Sequence, residues 1–153
     1  MTDMTELGNT ILSATIPIAD RMGVRVVDLC PGHVVGVVGV DGNTNHVGTM
    51  YAGVLFTVAE VLGGAIAMVT FDAEKYVPIV KEVQIKFRRP ARSTVRATAS
   101  LSEAEIAETL ATAEEHGKAD FDLYAELVDA DGMTVATTHG VYQIRRHDHR
   151  STA

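Results

Sequence analysis

The hydrophobic positions of this chain follow two different rules. In four stretches they alternate with polar ones, as strands with one buried face do. Val77–Arg89 sets Ile79, Lys81, Val83, Ile85 and Phe87 on one face and Glu82, Gln84, Lys86 and Arg88 on the other. Thr94–Leu101 points Val95, Ala97, Ala99 and Leu101 inward, and Ala119–Asp129 does the same with Phe121, Leu123, Ala125 and Leu127. Met133–Arg145 forms the last strand, joined to the one before it by the hairpin turn Asp131-Gly132. Two Val-rich runs, Val24–Leu29 and His33–Val40, flank Pro31-Gly32 and read as another hairpin. The other rule holds from Met50 to Phe71, where Glu60 is the only charged side chain and no polar face exists. That run reads as a helix starting near Tyr51–Gly53 and ending near Thr70–Asp72. Residues 4–14 form a short helix. Ser102 and Glu105 make a capping box for a further helix that runs to about His116, with Gly117 as its stop. Only Ile106 and Leu110 are large and apolar in it, which places it on the surface.

The order is helix, two strands, long apolar helix, then four strands with one surface helix inserted. This is an α+β pattern dominated by antiparallel hairpins. A helix without a polar face needs a sheet wrapped around it, and a second copy or partner sheet to cover the remainder. No linker or repeat divides residues 1–153, so one domain is expected, with a polar tail at 146–153 that frays. The apolar run is also long enough, at about 20 residues, to cross a bilayer. Glu60 at mid-span would cost about 2.5–3.5 kcal/mol there, and alternating strands follow, so a buried core helix is the expected reading.

Composition narrows the classes. With 153 residues and 46% apolar side chains the chain can build a core. The single cysteine, Cys30, excludes an internal disulfide, and the acidic start MTDMTELGNTI lacks the basic region of a secretory leader, so a cytoplasmic setting is expected. A net charge of −7 argues against a general nucleic-acid binder. The charge is segregated, however. Lys75, Lys81, Lys86, Arg88, Arg89, Arg92 and Arg96 lie in one stretch with Glu82 as the only acid, whereas residues 102–131 hold ten acids and only Lys118. Such a strip suits a small polyanionic ligand; cross-strand ion pairs are the plainer alternative.

The candidate chemistry centres on Glu60. A carboxylate on an apolar helix has its pKa raised by desolvation. It serves either as general base or nucleophile in a dry pocket, or as a structural group pairing with an arginine or a backbone at a subunit contact. Asn45-His46-Val47-Gly48-Thr49 leads into Tyr51-Ala52-Gly53 at the helix start, where free N–H groups can bind an anion or a developing oxyanion. Gly48 and Gly53 allow a substrate carbonyl to approach; an ordinary glycine-bearing loop is the alternative.

NHVGTMYAGVLFTVAE, followed by VKEVQIKFRRPA, resembles the hotdog-fold acyl-CoA thioesterases, in particular the PaaI-like group and related thioesterase domains. The matching features are Gly53 at the helix start, Phe56-Thr57-Val58-Ala59-Glu60 on the helix and Phe87-Arg88-Arg89-Pro90-Ala91 on the strand, within residues 45–100. The resemblance implies a hotdog fold, an antiparallel sheet of five to six strands wrapped around the apolar helix. It implies hydrolysis of an acyl-CoA or acyl-carrier thioester, with no metal or redox cofactor, by a homodimer or dimer of dimers. Glu60 falls on the catalytic carboxylate, the N–H groups of Ala52 and Gly53 on the oxyanion turn, and Asn45 near a polar residue that places water or the carboxylate, usually across the dimer interface. His46, Gly48, Thr49 and Tyr51 would then line the substrate, and Lys86, Arg88 and Arg89 would meet the coenzyme phosphates. The chain has Tyr51-Ala52-Gly53 where PaaI-like proteins have His-Gly-Gly, and an acidic helix at 103–116 where they have a short turn. Two rivals stand beside hydrolysis: a non-catalytic acyl-CoA binding module, and a hotdog hydroxyacyl dehydratase using His46 and Glu60.

Other residues read as structural. His139 is a satisfied strand histidine, His147-Asp148-His149 belongs to the polar tail, and Cys30 is a small half-buried side chain. Met50 and Met68 are core. Gly63-Gly64 weakens the helix, which calls for close packing on the sheet or for space to admit a thin ligand arm.

Overall fold

The computed structural model describes residues 3–148. Helices α1 (Met4–Thr15) and α2 (Pro17–Arg21) precede the hairpin β1 (Arg25–Cys30) and β2 (His33–Val38). A loop leads into α3 (Ala52–Thr70), followed by β3 (Tyr76–Phe87), β4 (Val95–Ser100), α4 (Glu103–His116), β5 (Lys118–Val128) and β6 (Thr134–Arg146). The six strands form one antiparallel sheet in the order β1-β2-β4-β5-β6-β3. The sheet curls around α3, which touches every strand. This is the expected α+β architecture, with six strands around one apolar helix. The membrane-length run is therefore core: Val54, Leu55, Val58, Leu62 and Ile66 are buried against the sheet. The short helix α2 carries no signal in the sequence beyond Pro17 at its first position.

The strands bury the residues their alternation assigns. Phe121, Leu123, Ala125 and Leu127 of β5 are buried while their neighbours face out. β3 departs from its alternation. Its pairing with β6 shifts between Val80 and Glu82, so Lys81 is an extra residue and the two-residue period changes phase there. Tyr76 and Pro78 turn inward before this bulge, Val83 and Ile85 after it. Ile79 therefore leaves the face of Val83 and Ile85 and is 39% exposed. β3 pairs on one side only, which makes it a sheet edge.

The capping box of α4 forms as its sequence predicts: Glu105 N donates to Ser102 Oγ at 3.1 Å, and Ser102 N donates to Glu105 Oε2 at 2.7 Å. Gly117 ends the helix at φ 78°, a left-handed position that other residues adopt at a cost. Thr109 and Ala113 bury its inner side against the sheet, with Ile106 and Leu110 half-buried. Lys75 Nζ reaches Glu114 at 3.8 Å and Lys81 Nζ reaches Asp120 at 2.6 Å. Two cations of the basic strip are thus spent on ion pairs.

Two expectations change. β6 runs to Arg146, whose N donates to Gly117 O at 2.8 Å, so the strand extends one residue beyond the expected end at Arg145. The rest of the expected tail, from residue 149, lies outside the described residues. Cys30 is exposed rather than half-buried, because it ends an edge strand. His139 is satisfied as expected: Nε2 lies 2.7 Å from Asp122 Oδ1 and the ring stacks on Tyr124 at 4.5 Å.

The helix is fixed to the sheet by one close approach. The Tyr142 ring of β6 stacks on Phe121 at 5.6 Å and lies where side chains of Gly63 and Gly140 would be. A Cβ on Gly63 would sit 2.0 Å from the ring, and one on Gly140 would sit 2.4 Å from it. The ring is buried and cannot swing aside. Gly63→Ala should cost about 1–3 kcal/mol through overpacking, despite the better helix propensity of alanine. Urea denaturation followed by circular dichroism measures this.

Candidate active site

The loop before α3 is organised by Asn45. Its Oδ1 accepts from Val47 N at 3.0 Å and Thr49 N at 3.1 Å, and its Nδ2 donates to Thr49 Oγ1 at 2.9 Å. Met50 N donates to Ala91 O and Tyr51 N to Asn43 O, both at 2.8 Å, which anchors the loop to neighbouring chain. Most of the Asn45 carboxamide is therefore used in shaping the turn. Tyr51 caps α3 through its backbone without a side-chain hydrogen bond. The first amides of the helix, at Ala52 and Gly53, are left as donors for something outside it.

Beside this helix start lies a cleft of about 320 Å³ lined by Asn45, Thr49, Ala52, Arg88 and Arg89, among others. Arg88 N and Arg89 N both donate to Val135 O, which fixes the turn after β3. Among the described residues, neither arginine forms an ion pair. Lys86 lies further up β3, exposed and outside this lining. His46, Gly48 and Tyr51 are exposed on the loop and do not line it either, and Thr49 is buried beneath it.

Glu60 lies elsewhere. It borders a larger cleft of about 470 Å³ enclosed by α1, α3, β1 and β3. Leu7 and Ile11 of α1 form one wall, and Val61, Gly64 and Met68 of α3 the other. Burial pushes the Glu60 carboxyl above the usual carboxylate range. Tyr142 Oη donates to the Glu60 main-chain oxygen at 3.0 Å, so the ring that registers the helix also grips the residue bearing the carboxylate. Burial first, and then the Glu60 charge, raise the pKa of the Tyr142 hydroxyl. It remains a proton donor across the working range.

The chain by itself does not bring all the predicted residues together. Ala52 and Glu60 are eight positions apart on α3, about 12 Å along its axis. Asn45, Ala52, Arg88 and Arg89 share the smaller cleft, while Glu60 has the larger one. His46 is not among the residues around Glu60. The two adjoining glycines divide their roles: Gly63 admits the Tyr142 ring, and Gly64 opens onto the larger cleft. Met50 is core as expected, whereas Met68 lines the cleft. The contribution of α1 is absent from the sequence reading. Its signal was present in the spacing of Met4, Leu7, Ile11 and Thr15, a helical stripe that faces the cleft.

A family profile, the domain of unknown function DUF4442, matches residues 5–144. The chain belongs to this family. Its fold is also that of a Pseudomonas aeruginosa protein described as of unknown function and a probable thioesterase. The two are 41% identical, with 94% of this chain and 96% of that one covered and a TM-score of 0.87. A Haemophilus influenzae thioesterase superposes with a TM-score of 0.75 at 15% identity, covering 97% of each chain. The Escherichia coli PaaI protein of the phenylacetic acid degradation operon superposes with a TM-score of 0.67 at 17% identity, covering 94% of this chain and 93% of its own. These last two show the fold alone. The chain is thus a DUF4442 member with the hotdog fold of thioesterases. No curated protein matches it.

Because the folded state holds a proton on Glu60 more tightly than the unfolded chain does, stability is fully present below the unfolded glutamate pKa. It is lost as pH rises through the raised folded value. Glu60→Gln should therefore melt higher than the wild type at neutral pH, and the gap should close near about pH 4. Melting curves across pH check this.

Proposed function

We propose that this protein hydrolyses an acyl thioester, of coenzyme A or an acyl carrier, to a carboxylic acid and a free thiol. The observation that carries the reading is Glu60: a single carboxylate with raised pKa on the rim of an otherwise apolar cleft, at the position of the family resemblance. The probable-thioesterase relative, identical at 41% of positions, supports the same reaction class. In this mechanism the Glu60 carboxylate takes a proton from a water that attacks the thioester carbonyl and returns it to the leaving thiolate, or it attacks directly to form a mixed anhydride that water then hydrolyses. The amides of Ala52 and Gly53 stabilise the oxyanion, and the thiol departs. Arg88 and Arg89 lie beside the same helix start, where they would meet the coenzyme phosphates.

The separation of Glu60 from Ala52 within a protomer favours a composite site. β3 is an unpaired edge twelve residues long, with Val77, Ile79, Val80 and Phe87 exposed. Such edges are ordinarily covered or paired. Two-fold pairing of two β3 edges would extend the sheet and lay two α3 helices antiparallel. The start of one helix would then approach the middle of the other, uniting Ala52 of one copy with Glu60 of its partner. A dimer of dimers would add a second contact. The lone exposed thiol of Cys30 suits a reducing, cytoplasmic setting.

A panel of acyl-CoAs assayed with a thiol-reactive dye tests the reaction. Glu60→Ala should lose at least a hundredfold in kcat/KM, and full activity in that variant would overturn the mechanism. The acid limb of kcat/KM should lie above the usual carboxylate range, since Glu60 must be ionised to act. Sedimentation of the purified chain should give a dimer, and Val80→Asp on the β3 edge should yield monomers with activity lost in parallel.

A further inference from the structure

The cleft beside Glu60 has a lining that selects among acyl groups. Glu60, Gly64 and Met68 follow one another at four-residue spacing along one face of α3 and form its floor, with Leu7 and Ile11 of α1 opposite. Among the described residues around the cleft, only Thr15, Glu60 and Tyr142 have side chains with polar atoms. Both hydroxyls are already committed as donors: Thr15 Oγ1 to Ile11 O at 2.7 Å, and Tyr142 Oη to Glu60 O at 3.0 Å. Beyond Glu60 the described side chains of the lining keep no free donor, so a keto or carboxylate oxygen on an incoming chain would enter unpaired, and a hydroxyl would find only the acceptor lone pairs of Thr15 and Tyr142. The one aromatic ring in the lining, that of Tyr142, is clasped between two glycines and stacked on Phe121, so an aryl group finds no free face there.

Gly64 marks how the cleft continues. A Cβ placed on Gly63 would strike the Tyr142 ring, but one placed on Gly64 meets nothing within 4 Å. Among the described residues, no atom uses the room this helix-weakening residue leaves. That room lies one turn beyond Glu60, where a chain attached to the reacting carbonyl must pass. From Glu60 to Val69 the floor runs about 13 Å along the helix, room for about ten bonds of an extended chain.

We infer that this cleft takes an unsubstituted aliphatic acyl chain of medium length, and that Gly64, with the facing wall of α1, sets that length. The inference rests on the thioester reading of Glu60 and names the substrate class for it. Hydrolysis should favour decanoyl-CoA over acetyl-, phenylacetyl-, palmitoyl- and 3-hydroxydecanoyl-CoA, with a gain of about fourfold per added methylene from hexanoyl to decanoyl. Gly64→Leu fills the passage and should lower the decanoyl-to-hexanoyl ratio of kcat/KM at least tenfold. Ile11→Trp narrows it from the α1 side and should lower the same ratio, which keeps the test alive if Gly64→Leu does not fold. An unchanged ratio in a folded variant, or a preference for the aryl or hydroxylated substrate, overturns the inference while leaving hydrolysis intact. If the wild type cleaves none of these thioesters, it is the reaction that fails. Calorimetric titration with decanoate then tests the cleft alone. Binding at least tenfold weaker in Gly64→Leu supports the inference, and equal binding or none in the wild type overturns it.

Discussion

The Tyr142 ring sets the relation between helix and sheet on which the rest of this molecule depends. α3 is apolar on every side, so hydrophobic burial alone gives it no preferred rotation inside the curled sheet. The ring supplies one, because it fits only where Gly63 and Gly140 both lack side chains. Its hydroxyl then takes the Glu60 carbonyl, which locates the carboxylate at the rim of the larger cleft. A packing device and a polar contact thus place the single charged group of the helix. Were α3 turned by one residue, about 100°, that group would face a different neighbour.

The electrostatic arrangement follows from the same geometry. Lys75 and Lys81 are drawn into pairs with Glu114 and Asp120 at one end of the sheet. Arg88 and Arg89 stand at the other end, beside the free amides of the α3 start. The basic stretch therefore divides into a part held in ion pairs and a part without them among the described residues. Surface pairs such as the first two contribute at most about 1 kcal/mol each. Among the described residues, the arginines beside the helix start form no ion pair.

Much of the fold was legible because each strand that buries one face must write that face into its sequence. β5 reads without error, and the capping box and Gly117 mark both ends of α4. Glu60 was legible as a candidate because a lone acid in an apolar helix is conspicuous in any fold. The loop chemistry was less so. Asn45 looked available to place a water or the carboxylate, yet most of its amide is used by Thr49 and Val47, and such local competition for hydrogen bonds has no signature in composition. The bulge at Lys81 was hidden for a related reason: it depends on the register with β6 rather than on the residues of β3.

The sequence by itself determined the element types, the inward faces of most strands, the wrapped central helix and the family motif around Glu60. These are properties of periodicity and local chemistry, and they survive without knowledge of any contact. Only the tertiary structure decided that Ala52 and Glu60 occupy separate clefts of one protomer, that α1 walls the cleft beside Glu60, and that adjoining glycines serve opposite ends. Gly63 yields its space to a tyrosine some eighty residues away in the chain, and Gly64 yields its space to no atom of the described residues. Nothing local distinguishes those two residues, because the difference lies in what the folded chain brings beside each.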